Sequence, residues 1–172
     1  MTTLLSEVIG DPIIFLEDIF SKISNIELNV ESYELDHICF RVSSNKLYEI
    51  KKRELSQFGE LLVESTVNGR FISTYKLLDP IIFEERKIFL IELPSPKASH
   101  AYPDGLEHIE FVTKEPLQKI VERYPQYSFE TFGINKKINA DITLKLGQYC
   151  IRFHNQSLEE VIKTEKKMYN KK

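Results

Sequence analysis

The sequence predicts an α+β fold in which paired β-α-β-β-β modules form one curved, eight-stranded, open-barrel sheet, with N-terminal helices and a C-terminal helix. Two observations predict it. The strand motif LDHICFRV at 35–42 is nearly repeated as LEHIEFVT at 106–113. Each copy is followed by one helix-like segment and then by three strand-like segments. One repeat of this length indicates duplication of a module and not a solenoid array.

The chain is predicted to be a single domain over 1–172. Its 42% hydrophobic and 28% charged residues are ordinary for a packed globular protein. Its length allows well over half of the unfolded surface to be buried. The predicted parts are N-terminal helices at 1–30, a first module at 34–94, a second module at 105–155 and a C-terminal helix at 156–170. A segment rich in Pro, Ser and Gly, 94–105, joins the modules.

Apolar residues at helical spacing across 3–25 predict two helices, interrupted at Gly10-Asp11-Pro12. Asp11 is expected to cap the second helix. Pro12 is expected to be its first residue, because the fixed φ of proline suits that position. At the other end of the chain, Ser157 is expected to cap the C-terminal helix.

The first module begins with a strand that has two different faces. Alternation places Ile38, Phe40 and Val42 on one face and His37, Cys39 and Arg41 on the other. A helix, a hairpin and a last strand follow, at 46–59, 60–67 with 70–78, and 87–93. Asn68-Gly69 between the hairpin strands is the strongest short hairpin signal. The second module repeats this order at 106–113, 115–124, 127–132, 139–146 and 149–154.

Charge and cysteine content exclude several classes of protein. The formal net charge of −3 and the scattered lysines leave no broad basic field for nucleic acid. Two distant cysteines, Cys39 and Cys150, form neither a zinc ribbon nor a disulfide framework, which favours a reducing cytosol. The N-terminus lacks a signal-peptide pattern, and the absence of an apolar run of about 20 residues argues against a membrane partner. The sequence therefore predicts a cytoplasmic protein.

Polar residues on the inward strand faces predict a metal site. His37 and His108 occupy matching places in the first strands, and aligning LIELP with RFHNQ sets Glu92 opposite His154. Imidazole and carboxylate ligands suit a divalent ion such as Zn, Mn, Fe, Co or Ni. Glu110 lies on the same face as His108 and can replace Glu92. The alternative is a set of buried histidines that are hydrogen-bonded with no metal.

Other polar residues near these positions are candidates for contacts to a substrate. Arg41 and Arg152 can clamp a carboxylate or phosphate, or form salt bridges to Glu92 or Glu110. Arg70 is expected at the edge of the cleft. Tyr75 either offers a proton or hydrogen bond or serves packing. Cys39 is expected to be a small buried filler, and Asp36 and Glu107 are expected on the outer face.

These motifs also carry a family resemblance. The combination of ELLxExxxNGR, ELPxP, YPxGxEHIE and FHxxSLEEVI resembles the YecM-like family of the vicinal oxygen chelate superfamily. The resemblance implies a metal held by residues of the first and last strands, here His37, Glu92, His108 and His154. The chain departs from the superfamily at His154, where many relatives place a glutamate that can also serve as the base.

The resulting functional prediction is a metal-dependent enzyme of the vicinal oxygen chelate type that acts on a small oxygen-bearing metabolite. Isomerase, lyase and dioxygenase-like chemistry all fit, with Glu110 or Glu92 moving a proton. The alternative is a non-catalytic module that binds a small molecule or a metal in the same cleft. Because both modules lie in one chain, a monomer is expected to complete its own site.

Overall fold

The computed structural model describes residues 4–97 and 101–169 and confirms the α+β class. In chain order its elements are α1 Leu5–Ile9, α2 Pro12–Asn25, β1 Glu34–Arg41, α3 Asn45–Leu55, β2 Gly59–Val67, β3 Arg70–Phe83, β4 Arg86–Pro94, β5 Gly105–Val112, α4 Leu117–Arg123, β6 Asp141–Leu146, β7 Tyr149–His154 and α5 Leu158–Tyr169. Residues 98–100 of the predicted linker, and residue 170 of the predicted last helix, lie outside the described residues.

The strands of the described residues form one sheet in the order β2-β3-β4-β1-β5-β7-β6. Strand β1 is parallel to β4, while β2 with β3, β3 with β4, and β6 with β7 are antiparallel. The hairpin predicted at Asn68-Gly69 is confirmed, and both residues have positive φ, as its tight turn requires. Strand β3 is longer than predicted, and its register with β4 shifts between Lys76 and Ile81.

The sheet has seven strands in the described chain, where eight were predicted. The segment 127–132 contributes only an isolated bridge between Glu130 and Thr143. The chain turns directly afterwards, because the amide of Ile134 bonds the carbonyl of Thr131. Phe132 is 88% exposed and packs in no core. An apolar, β-prone composition was therefore not enough to make this segment a strand.

The chain divides into two compact units that do not coincide with the predicted modules. The first comprises residues up to Asp18 together with His37–His108. Within it, helix α3 is attached to the sheet by a partly buried polar network: the hydroxyl of Tyr48 donates to Glu64 at 2.7 Å and bonds the hydroxyl of Ser73 at 2.7 Å. This network fixes the side of the sheet that α3 covers.

The second unit comprises Ile19–Asp36 and the chain from Ile109 onward. Its core is aromatic, with the rings of Phe111 and Phe153 stacked at 5.7 Å and Tyr33 edge-on to Phe153 at 5.8 Å. Such pairs contribute beyond their burial of apolar area.

Capping residues begin the helices as the sequence predicts. Asp11 accepts a hydrogen bond from the amide of Ile13 at 2.8 Å, and Ser157 accepts one from the amide of Glu160 at 3.3 Å. Among the described residues, no helix has the length and apolar character needed to cross a membrane.

Candidate metal centre

Three predicted ligands of the first unit lie together on neighbouring strands. His37 is on β1, Glu92 on β4 and His108 on β5, and each offers a ligand atom within 4.8 Å of those of the other two. The Nε2 atom of His108 is 3.9 Å from Oε2 of Glu92. His37 and His108 are 2% and 3% exposed, so water reaches these imidazoles poorly.

The register of the strands explains why these side chains share a face. In the parallel pair of β1 and β4, His37 lies opposite Leu90 and Cys39 opposite Glu92. Side chains of directly paired residues project to the same face of a sheet. The alternation visible in the sequence therefore places His37 and Glu92 on one face, as predicted.

The donor set fits a divalent transition ion. Protein nitrogen and oxygen ligands lie about 2.0–2.2 Å from such an ion, so two ligands of one ion are at most about 4.4 Å apart. The separation of 3.9 Å between His108 and Glu92 satisfies that limit. Two histidines and one carboxylate are the ligands of several catalytic zinc and non-haem iron sites. His37, Glu92 and His108 are thus suited to hold a metal.

Glu110 and His154 form a second polar group, in the second unit. Glu110 follows His108 by two residues on β5, so alternation gives both the same face. Its buried carboxylate contacts Nε2 of His154 and accepts a hydrogen bond from Nη1 of Arg152 at 3.0 Å. The salt bridge to Glu110, which the sequence offered for Arg152 as the alternative to a substrate contact, is therefore present.

The ring of His154 is oriented from its other side. Its Nδ1 lies 3.1 Å from the carbonyl oxygen of Ala140, which can only accept. Nδ1 can therefore donate to that carbonyl, and Nε2 faces the carboxylate of Glu110. His154 is 5% exposed, and its assignment as a metal ligand stays a prediction.

His108 is surrounded by further polar groups of the first unit. The carboxylate of Glu107 contacts its Nδ1 atom. Burial raises the pKa of the Cys39 thiol, while the adjacent His108 acts in the opposite direction. Cys39 is free and fully buried, which confirms the interpretation as a small buried residue and favours the protonated thiol.

Arg41 lies at the edge of this group. Its Nη1 is 3.5 Å from Oε1 of Glu107, and its guanidinium is 4.6 Å from the centre of the Tyr102 ring. Stacking on Tyr102 holds the planar guanidinium and leaves its edge available for hydrogen bonds. This geometry is compatible with the predicted contact to a substrate anion.

Two other predicted substrate contacts have structural partners instead. Arg70 donates to the carbonyl of Ser95 at 3.2 Å. Tyr75 is 1% exposed and donates to the carbonyl of Lys52 at 3.0 Å. The register pairs Tyr75 with Ile91, on the face opposite Glu92. The substrate roles of these two residues therefore stay predictions from the sequence.

Sequence reasoning missed two residues beside the candidate ligands. Thr74 pairs directly with Glu92 and is 2% exposed. Its place beside Glu92 depends on the register between β3 and β4, which the Asn68-Gly69 turn between β2 and β3 does not fix. Glu107 was expected on the outer face, but its carboxylate reaches the ring of His108. Adjacent residues in a strand point to opposite faces, so no periodicity signals that contact.

Comparison with known proteins gives a consistent family. The model of the family described as "YecM protein" matches residues 5–165. "Protein YecM" of Escherichia coli K12 is 28% identical over 176 residues, covering 94% of this chain and 94% of that protein. An uncharacterized protein of Haemophilus influenzae is 27% identical over 183 residues, covering 94% of this chain and 95% of its own length.

Solved structures share the fold. A structural-genomics structure, "Protein EC4020", has a TM-score of 0.77 and 27% identity, covering 96% of this chain and 98% of its own. A variant of Streptomyces coelicolor methylmalonyl-CoA epimerase, in complex with 2-nitronate-propionyl-CoA, has a TM-score of 0.51 and 15% identity, covering 72% of this chain and 94% of its own. The second likeness extends to the fold alone.

Proposed function

Because the chain belongs to the YecM family and has the vicinal oxygen chelate fold, we propose that it is a metal-dependent enzyme acting on a small oxygen-bearing metabolite. The observation that carries the proposal is the grouping of His37, Glu92 and His108. Burying two imidazoles beside a carboxylate costs desolvation energy, which a bound divalent cation would offset. His154 is the proposed fourth ligand, and Glu110 is the alternative to Glu92 as the carboxylate ligand.

The chemistry follows from the donor set and the neighbouring charges. A divalent ion held there would supply Lewis-acid polarisation of a substrate oxygen. His37, Glu92 and His108 would fix its position, since strands hold ligands more rigidly than loops do. Isomerase, lyase and dioxygenase-like reactions are all compatible with this arrangement.

Glu110 is the proposed group for moving a proton. Its side chain is 5% exposed, and it contacts both Nε2 of His154 and the guanidinium of Arg152. These two partners orient the carboxylate and compensate for its negative charge. The contact with Nε2 of His154 places a second titratable group next to this carboxylate. Glu110 and His108 lie two residues apart on the same face of β5. This shared face supports the proposal that Glu110 lies near the reacting atoms.

Arg41 is the proposed contact for an anionic part of the substrate. It lies on the same strand face as His37, and its contact to Glu107 is long, at 3.5 Å. A substrate carboxylate or phosphate would form shorter, bidentate bonds with the same guanidinium. Arg152, Arg70 and Tyr75 remain further proposed contacts.

Metal analysis of untagged protein tests the proposal. About one divalent ion per chain is expected, and replacing both His37 and His108 with alanine should abolish it. Circular dichroism and thermal unfolding of the double variant check that the fold persists. Stoichiometric metal in a folded double variant would overturn the site. Exposed Glu60→Gln, on β2, is a matched control that should retain the metal.

A binding module is the second candidate. The observation that favours it is the pairing of Glu110 with Arg152 and His154, since a carboxylate already engaged by two partners is less available to a substrate. Metal-loaded protein would be incubated with 2-oxo acids, thiol hemiacetals and catechols. Turnover of any of these supports the enzyme. Thermal protection by a compound that is never converted supports the binding module.

We also propose that the protein acts as a monomer in the cytoplasm. Cys39 and Cys150 are not joined by a disulfide and both are buried, which suits a reducing compartment. Size-exclusion chromatography with light scattering tests the monomeric state, because a dimer would double the measured mass. Fractionation of the cell tests the cytoplasmic location.

A further inference from the structure

We propose that Glu107 is a positioning residue that fixes the orientation and the tautomer of His108, so that the Nε2 atom is the one offered to a metal ion. This inference rests on the proposed metal site and extends it to a residue outside the ligand set. Glu107 would touch neither metal nor substrate and would act only through His108.

The geometry around the imidazole ring carries the proposal. The carboxylate of Glu107 contacts Nδ1, whereas Nε2 is 3.9 Å from Glu92. A carboxylate that accepts a hydrogen bond from Nδ1 places the ring proton there. In neutral imidazole the lone pair then lies on Nε2, the atom directed at the other candidate ligands. The His108 side chain is 4% exposed, so water is poorly placed to replace Glu107.

Glu107 is itself restrained on its far side. Its Oε1 atom faces Nη1 of Arg41 at 3.5 Å, and Tyr102 stacks on that guanidinium at 4.6 Å. The Glu107 side chain is 17% exposed, so these groups supply much of its surroundings. Metal-binding histidines usually donate their second N–H to a carboxylate, a backbone carbonyl or a water, and losing that partner typically costs roughly 10- to 100-fold in metal affinity.

Two other arrangements compete with this one. His108 can be a doubly protonated imidazolium bridging Glu107 and Glu92, a structural ion pair that needs no metal. Alternatively, the thiol of Cys39, which also interacts with His108, can decide the tautomer. Both alternatives predict a different proton distribution on the ring, so the proton positions discriminate among the three.

Long-range ¹H–¹⁵N spectra of metal-free protein would measure those positions. The wild type should show a neutral His108 with its proton on Nδ1. Glu107→Ala should reduce the population of this tautomer, and Glu107→Gln should restore part of it because the amide oxygen is a weaker acceptor. Cys39→Ser and exposed Glu60→Gln should leave it unchanged. An imidazolium in the wild type, or an unchanged ring in Glu107→Ala, would overturn the proposal.

Zinc titration against a chromophoric chelator supplies the second readout. Affinity should fall by about 10- to 100-fold in Glu107→Ala and less in Glu107→Gln. Wild-type affinity in a correctly folded Glu107→Ala protein would overturn the positioning role while leaving the metal site intact. If the wild type binds no metal, the proposed function fails. The Glu107 dependence of the tautomer in metal-free protein then still decides whether Glu107 positions His108.

Discussion

Nε2 of His108 lies 3.9 Å from Oε2 of Glu92, across two different strands. This distance is too long for a hydrogen bond and is within the spacing of two ligands on one ion. The His108 side chain is 4% exposed and that of Glu92 is 16% exposed. This spacing supports the proposal that Glu92 is the carboxylate ligand beside His37 and His108.

Replacing Glu92 should therefore weaken metal binding strongly. Glu92→Ala removes a proposed direct ligand, so the loss of affinity should exceed the roughly 10- to 100-fold expected for an outer partner such as Glu107. Glu92→Gln keeps the shape of the side chain but removes its charge. Its loss of affinity should lie between that of Glu92→Ala and that of Glu107→Ala. Competition titration with zinc measures all three. An affinity for Glu92→Ala equal to that of the wild type would exclude Glu92 as a ligand.

Much of this site was predictable because strands alternate. Period-2 counting placed His37 and His108 on inward faces, and the duplicated module brought Glu92 into the comparison. The structure then placed these three together. The sequence could not indicate that Thr74 and not Tyr75 shares the face of Glu92, because that depends on the register between β3 and β4.

The remaining differences also have local physical causes. The contact between Glu107 and His108 joins sequence neighbours that alternation assigns to opposite faces, and only the reach of the glutamate side chain allows it. The predicted eighth strand does not form because the chain turns immediately after Glu130. Strand propensity depends on residue type and does not indicate such a turn.

The two thiols should resist modification in the native protein. Cys39 is fully buried, and burial raises its pKa, so the reactive thiolate is scarce at neutral pH. Cys150 is 8% exposed and should react first. Titration with an aromatic disulfide reagent should find two thiols in denaturant and a much slower reaction without it. Equal rates in both conditions would contradict the burial of Cys39.

Asp36 should stabilise the last helix. Its Oδ2 accepts a hydrogen bond from the amide of Leu158 at 3.0 Å, at the first residue of α5. Asp36→Ala removes the acceptor of this amide at the start of the helix. The free energy of unfolding should therefore fall by about 0.5–2 kcal/mol, as for the loss of a helix cap. Urea denaturation measures the change. Asp79→Ala, at an exposed position, is the control. If both substitutions lowered the free energy of unfolding equally, Asp36 would not act as a cap.

Tyr33 should make the stability of the protein sensitive to alkaline pH. Its hydroxyl donates to Glu115, which also binds Arg123 through Nη1 at 3.0 Å. Burial, with a smaller contribution from Glu115, raises the pKa of Tyr33 to about 12. The value in the unfolded chain is about 10. Since the pKa of Tyr33 is higher in the folded protein, its contribution to the free energy of unfolding is complete below about pH 10. This contribution is lost as the pH rises through about 12.

The pKa of Glu115 shifts in the opposite direction from that of Tyr33. The hydrogen bonds from Arg123 lower its pKa, so its contribution to stability is present above the unfolded value of about 4.3 and is lost as the pH falls through the folded value. Tyr33→Phe should therefore cost about 1.5–3 kcal/mol at neutral pH, the usual range for a hydrogen bond to a charged group. It should reduce the alkaline loss of stability and retain most of the acid loss. Glu115→Gln should reduce the acid loss. Urea unfolding from pH 3 to pH 11 measures both, and an alkaline loss in Tyr33→Phe as large as in the wild type would show that other groups cause it.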